Sequence, residues 1–439
     1  MFKYIFILGR NQELSIAEIK AVLKQDSFDI GPGFLVWQTE KEIDAKKLLD
    51  QLGGTIKIGQ VFSDKLDEQK MLVQILSQVT KGPSTESGQS KKVFFGFSQY
   101  GQNQRLNQIA GNIKKELKQR GFSSRWVTSK EKQLSSVIVK KNKLLSQGAE
   151  ILIVKNKNQT LLAKTLAVQE FEEYSKRDFG RPARDVLSGT MPPKLAKIMI
   201  NLAQVSQDAT ILDPFCGSGT ILQEAVLLGY KNLIGSDKSQ KAIEDTKKNL
   251  EWLYHVGGSP VSRRHNRVKG PDLLDQRVGR VLVPGCNDRA GAPDLPKLYN
   301  LDVRRLSQKI KQVDAIITEP YLGPPLKGKE TDSQIKEIIK ELEKLYLDSF
   351  KEFQKILSPK GQIVIIFPIF KNNHTLNILS QINPVRNNFS LKNNNKKIIS
   401  NGIKKMGFEL ISPDNLVYSR PEQKVKRKIL IFTLNACKY

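Results

Sequence analysis

Residues 209–228 constrain the fold more than any other stretch. Ala209-Thr210-Ile211-Leu212 is a short apolar run, Asp213-Pro214-Phe215-Cys216-Gly217-Ser218-Gly219-Thr220 is a glycine-rich turn, and Ile221-Leu222-Gln223-Glu224-Ala225-Val226-Leu227-Leu228 is a helical pattern. The order is strand, tight turn, helix. Gly217 and Gly219 let the backbone bend sharply and let a ligand approach the main chain. A helix start presents free N–H groups to something polar or anionic. The next apolar run, Asn232-Leu233-Ile234-Gly235-Ser236, ends at Asp237. An acid at that place in a doubly wound sheet binds ribose hydroxyls. The pattern predicts an α/β domain with a mostly parallel sheet, helices on both faces and a ligand beyond the carboxyl ends of the strands.

A glycine turn alone suits other doubly wound domains. The whole octet is narrower: it resembles the S-adenosylmethionine-binding motif of amino-methyltransferases. In particular it resembles the THUMP-domain RNA guanine-N2 methyltransferases, which include tRNA enzymes acting at position 10. The resemblance implies S-adenosylmethionine as cofactor, held by Asp213, Phe215, Cys216, Gly217, Ser218, Gly219, Thr220 and Asp237. It also implies a Rossmann-like methyltransferase domain with a seven-stranded sheet and an antiparallel last hairpin. The opening run Tyr-Ile-Phe-Ile-Leu-Gly-Arg-Asn-Gln-Glu-Leu-Ser-Ile-Ala-Glu-Ile, residues 4–19, is similar to the family's N-terminal ferredoxin-like α+β domain. The strands and helices expected over 92–165 are similar in order to a THUMP-like RNA-binding domain. Residues 169–185, mixed in charge and without a clean period, resemble the segment in which Arg-Pro (Arg181-Pro182) precedes the catalytic domain. The expected organisation is 1–65 ferredoxin-like, 66–168 THUMP-like, 169–188 linker and 189–439 methyltransferase.

A second constellation closes another buried run. Val313-Asp314-Ala315-Ile316-Ile317-Thr318 leads into Glu319-Pro320-Tyr321-Leu322-Gly323. The family pattern there is Asp-Pro-Pro-Tyr-Gly. Aligned without a gap, Glu319 takes the acid position, Pro320 the first proline, Tyr321 the second proline and Leu322 the aromatic. The acid is one methylene longer and the aromatic has moved by one place. The chemistry explains the motif. An exocyclic base amine is a poor nucleophile because its lone pair is delocalised into the ring. Acceptors at its N–H groups, the Glu319 carboxylate and the Pro320 carbonyl, turn that lone pair toward a methyl donor. Tyr321 is the candidate for stacking on an extruded base. A carboxylate also suits guanine, whose N1–H and N2–H donate from one edge. A tight turn without catalysis is the plain alternative. Leu301-Asp302-Val303 is expected to end the third strand, and Asp302 falls where the family binds the cofactor's adenine amino group; a surface Asp before a helix is the other reading.

Charge supports a polyanionic partner. Lys and Arg number 71 against 44 Asp and Glu, a net +27, which favours nucleic acid without separating RNA from DNA. The basic helix expected over 103–120 carries Lys114, Lys115, Lys118 and Arg120, either an RNA contact or a solvated face. Gln423-Lys424-Val425-Lys426-Arg427-Lys428 is a further candidate RNA contact. Cys216, Cys286 and Cys437 suggest neither a disulfide framework nor a zinc site, and the three histidines lack metal-ligand spacing, so no metal is expected. No apolar run approaches a membrane span, and cytoplasm is the default. Segments at about 255–296 and 383–398 lack a period and read as insertions. The leading expectation is an S-adenosylmethionine-dependent methyltransferase acting on guanosine N2, with tRNA as partner. A DNA adenine-N6 or cytosine-N4 methyltransferase and a non-catalytic RNA-binding protein are the alternatives.

Overall fold

The computed structural model describes every residue except 78–91, 104, 157–158, 185–189, 258–294, 371–399, 414, 421–422 and 436–439. The polar loop expected at 82–90 and the second insertion lie outside the described residues, as does almost all of the first. The chain divides into two compact units, Met1–Glu172 and Glu173–Tyr439.

The first unit is built on β1 (Phe2–Leu8), β2 (Asp29–Gly31), β3 (Phe34–Thr39), β4 (Thr55–Ser63), β5 (Lys92–Tyr100), β6 (Ser123–Val127), β7 (Gly148–Asn156) and β8 (Gln159–Val168). They form one sheet of order β2-β3-β1-β4-β8-β7-β5-β6. The division expected near residue 65 falls between strands of this sheet, since β4 pairs antiparallel with β8. Ile16 and Ile19 of helix Gln12–Leu23 pack with Phe6, Leu35 and Trp37. Helices Glu68–Leu76 and Asn107–Gln119 bury their apolar faces with Phe95, Phe97, Ile151 and Ile153. Inside the sheet, Lys57 on β4 pairs with the fully buried Glu150 on β7. Glu150 also accepts from Ser98 on β5 at 2.6 Å and Thr165 on β8 at 2.7 Å. A buried charge needs such partners, so four strands are tied together at one point.

The second unit is built on β9 (Ile211–Asp213), β10 (Leu233–Asp237), β11 (Lys297–Asn300), β12 (Val313–Thr318), β13 (Leu357–Ile369), β14 (Phe408–Leu410), β15 (Val417–Tyr418) and β16 (Lys426–Leu434). The sheet order is β11-β10-β9-β12-β13-β16-β14, with β15 paired to β16. Strands β9 to β13 run parallel to their neighbours, and β16 is antiparallel to β13, β14 and β15. The sheet therefore has eight strands rather than the seven expected, the extra one being the two-residue β15. The direction of strand addition reverses between β9 and β12, which opens a crevice at their carboxyl ends. Leu212, Ile316, Ile363 and Ile365 pack on Tyr346, Phe350 and Phe353 of the amphipathic helix Asp332–Ile356.

Two local differences from the sequence reading have physical causes. The stretch 169–188 contains helix Phe171–Phe179. Its buried face is half charged, Arg177 beside Tyr174, so no run of apolar residues betrays it. Arg177 donates from Nε to Glu224 at 2.6 Å and lies over the Tyr174 ring at 4.7 Å. Strand β11 ends at Asn300, and Asp302 instead caps the 3-10 turn Val303–Gln308.

Candidate active site

The glycine turn is shaped by its own main chain. Gly217 and Gly219 have φ of +52° and +80°, a region that L side chains rarely occupy. A Cβ at Gly219 would stand 2.8 Å from Thr246 Cγ2, whereas one at Gly217 would meet nothing within 4 Å. Gly219 is thus required by packing, and Gly217 faces open space. Neighbouring side chains hold the turn. Thr246 Oγ1 donates to the Gly217 carbonyl at 2.8 Å, and Asn249 Nδ2 to the Ser218 carbonyl at 2.8 Å. Arg181 Nη1 donates to Thr220 Oγ1 at 2.7 Å; burial lowers the Arg181 guanidinium to about 10. Cys216 is buried beside Gly235 of β10, and burial pushes its thiol well up. Its main chain is also engaged: the Cys216 N–H donates to the Ser236 carbonyl at 3.0 Å and its carbonyl accepts the Gly219 N–H at 2.7 Å.

The acids at the strand ends connect the turns. Asp213 is 2% exposed and accepts from Thr318 Oγ1 at 2.8 Å and from the Phe215 N–H at 3.3 Å. Thr318 ends β12 and precedes Glu319, so this bond joins the two constellations directly. Burial above all pushes the Asp213 carboxyl up to about 7, with the charges of Asp237 and Glu319 adding to it and the two hydrogen bonds opposing. Asp237 accepts the Gly217 N–H at 3.1 Å and the Ser239 N–H at 2.9 Å. Its carbonyl accepts the Leu301 N–H at 2.9 Å, which brings Asp302 alongside. A cavity of about 590 Å³ is lined by Lys238, Asn300, Leu301, Asp302, Arg304 and Arg305. Asp302 already holds Arg304 through both oxygens, at 2.9 and 2.7 Å. The Arg304 hydrogen bonds keep its carboxyl down at about 2.

The second turn is clamped from beneath. Tyr346, fully buried, donates from its hydroxyl to the Tyr321 carbonyl at 3.0 Å. Pro320 is buried and Tyr321 is 54% exposed, which leaves the ring free to stack. Glu319 is half-buried and paired with Arg427, whose Nε donates to Oε1 and whose Nη2 lies 3.5 Å from Oε2. Because β16 is antiparallel, its first residues lie at the carboxyl ends of the parallel strands; Arg427 stands opposite Pro368 at the end of β13. The basic run expected to touch RNA therefore turns its one arginine, Arg427, to Glu319.

Hydrogen bonds link the strand ends in series: Thr318 to Asp213, Gly217 to Asp237, and Leu301 to the Asp237 carbonyl. Sequence reasoning missed Thr318, Tyr346 and Asn249, and took Arg427 for an RNA contact rather than a partner of Glu319. Only Thr318 left a signal: a hydroxyl at the end of a buried apolar run must find a partner. Open space at Gly217, an acid at the end of β10 and a cavity against β11 fit a ligand carrying a ribose and a flat base. Among the described residues no group of three His, Cys, Asp or Glu could hold a metal ion.

A doubly wound sheet with a glycine turn at its switch point defines a class of nucleotide- and cofactor-binding domains. Comparison narrows it. Residues 181–388 match the family model described as RMKL-like, methyltransferase domain. A second model, described as DNA methylase, matches 46–248. The chain is 35% identical over 148 residues to a tRNA (guanine(10)-N2)-dimethyltransferase of Methanothermobacter thermautotrophicus, covering 32% of this chain and 40% of the relative. It is 29% identical over 192 residues to one of Methanocaldococcus jannaschii, covering 42% and 44%. The aligned parts thus span less than half the length of these relatives. The crystal structure of TrmN from Thermus thermophilus is similar with a TM-score of 0.49 at 14% identity, covering 98% of this chain and 99% of that one.

Proposed function

We propose that this chain is an S-adenosylmethionine-dependent methyltransferase that methylates the exocyclic N2 of a guanosine in tRNA. The observation that carries the reading is the Asp213–Thr318 hydrogen bond, which fastens the glycine turn to the Glu319-Pro320-Tyr321 turn. S-adenosylmethionine, when bound, supplies an electrophilic methyl group on a sulfonium. Gly217 gives its main chain room, Asp237 offers acceptors to ribose hydroxyls, and Asp302 with Arg304 frames the adenine side of the cavity. Glu319 and the Pro320 carbonyl accept N–H bonds from the target amine and turn its lone pair toward the methyl, an effect of orientation and fixed dipoles. Tyr321 stacks on the extruded base.

Residues 1–65 are read as ferredoxin-like and 66–168 as a THUMP-like RNA grip, with 169–188 joining them to the catalytic unit. The net charge of +27 supports this reading, as do the named activities of the similar proteins. Among the described residues no helix is long and apolar enough to cross a membrane, and we place the protein in the cytoplasm.

The test is transfer of a labelled methyl group to bulk tRNA and, in parallel, to duplex DNA. Transfer to tRNA with label on guanosine N2 is expected. Label on DNA alone would favour the reading suggested by the DNA methylase match. Glu319→Ala is expected to abolish transfer while leaving cofactor affinity almost unchanged; a Glu319→Ala variant as active as the parent would show that another group holds the amine.

A further inference from the structure

We propose that Arg427 is a positioning residue for this reaction, and that it leaves Glu319 a single N–H acceptor toward the base. The inference rests on the function proposed above and deepens it. The guanidinium lies side-on to the carboxylate, with Nε on Oε1 and Nη2 facing Oε2 at 3.5 Å. Both side chains are largely shielded, Arg427 at 11% and Glu319 at 14% exposure. A side-on guanidinium occupies the end of a carboxylate where both oxygens point outward together. Guanine's N1–H and N2–H are parallel donors from one edge and need that same end to bind both oxygens at once. The two cannot share it. With Arg427 in place, an outer lone pair of Glu319 accepts one N–H. That N–H is the one on the amine, because the amine nitrogen must face the methyl donor.

The arrangement also explains how a glutamate serves where the family pattern has aspartate. The added methylene gives Glu319 one more rotatable bond and more conformational freedom to lose. Arg427 removes that freedom from one side. On the other, the Tyr346 hydroxyl holds the Tyr321 carbonyl at 3.0 Å, so the turn is fixed at both ends. Arg427 itself is anchored within β16, between Tyr418 of β15 and Pro368 of β13. It does not touch the reacting atoms; it acts through Glu319.

The experiment uses the full chain and single-turnover methyl transfer to tRNA, with cofactor binding measured separately. Arg427→Gln and Arg427→Lys are expected to slow transfer by about 100-fold, the scale of a misplaced reacting group. The dissociation constant for S-adenosylmethionine and the tRNA KM are expected to stay within about threefold. Arg427→Ala is expected to regain part of its rate in millimolar guanidinium, a rescue that a merely structural role would not give. Once the methylated guanosine has been mapped, a synthetic tRNA carrying N1-methylguanosine there should still be methylated by the parent enzyme, because N1–H is not read by Glu319. Parental rates in Arg427→Gln, no rescue of Arg427→Ala, or loss of transfer to the N1-methylated tRNA would overturn the assignment while leaving the proposed function standing. A parent chain that transfers no methyl to tRNA would overturn both.

Discussion

Asp213 holds its proton far more tightly than a carboxyl in water. Burial is the main cause, and the nearby charges of Asp237 and Glu319 act in the same direction. The sign of the consequence follows from proton linkage. Between the ordinary value of 3.8 and the folded value of about 7, the folded chain keeps a proton that the unfolded chain has released. Stability linked to this group is therefore greatest below about pH 4 and is lost as the pH rises to about 7. The full difference is on the order of 4 kcal/mol. Asp213→Asn keeps an oxygen for the Phe215 N–H and for Thr318 but cannot ionise. We expect thermal melts of the ligand-free variant to match the parent near pH 4 and to exceed it by a growing margin up to pH 7. A margin that does not change with pH would show that Asp213 titrates normally.

At the scale of the element, the two glycines of the first turn answer to different demands. An alanine at either position adopts a left-handed conformation that costs about 1–2 kcal/mol. At Gly219 the new methyl also meets Thr246 Cγ2 at 2.8 Å, so Gly219→Ala is expected to lower the melting temperature more than Gly217→Ala. At Gly217 the methyl enters open space, so Gly217→Ala should fold yet weaken cofactor binding by about tenfold or more, as a misfitting methyl does. Calorimetry of both variants, with and without S-adenosylmethionine, separates the two effects; equal cofactor affinity in Gly217→Ala and parent would place the ligand elsewhere. The turn was legible in the sequence because strand, glycines and helix are contiguous there. So were β12 and β16, whose apolar runs are bounded by polar residues. Helix Phe171–Phe179 was not legible, because it buries only Tyr174 and Arg177, and the partner of Arg177, Glu224, lies 47 residues away. Nor was the Glu319–Arg427 pair. The partners stand 108 residues apart, and only the antiparallel insertion of β16 beside β13 brings them to the same edge. Local pattern carries the turn chemistry; pairings that depend on strand order are not written in any one segment.

Across the whole molecule, a charge of +27 must be borne somewhere on the surface, and the helix Asn107–Gln119 presents part of it. Ile109, Ala110, Ile113 and Leu117 bury one side of that helix, while Lys114, Lys115 and Lys118 are exposed on the other. Arg120 is different: Glu116 accepts from it at 3.0 and 2.8 Å, so its charge is already balanced locally. If the lysines neutralise RNA phosphates, binding releases counterions and weakens as salt rises, with a slope set by the number of contacts. The triple variant Lys114→Ala/Lys115→Ala/Lys118→Ala is then expected to bind tRNA more weakly at low salt. Its plot of log affinity against log salt should be shallower by about 2–3. Melting temperature and S-adenosylmethionine affinity should not move, since exposed substitutions seldom cost more than about 0.5 kcal/mol. Arg120→Ala should leave the slope nearly unchanged. Filter binding across a salt series decides between an RNA contact and a solvated face: a triple variant with the parent's slope would move the grip to another part of the surface.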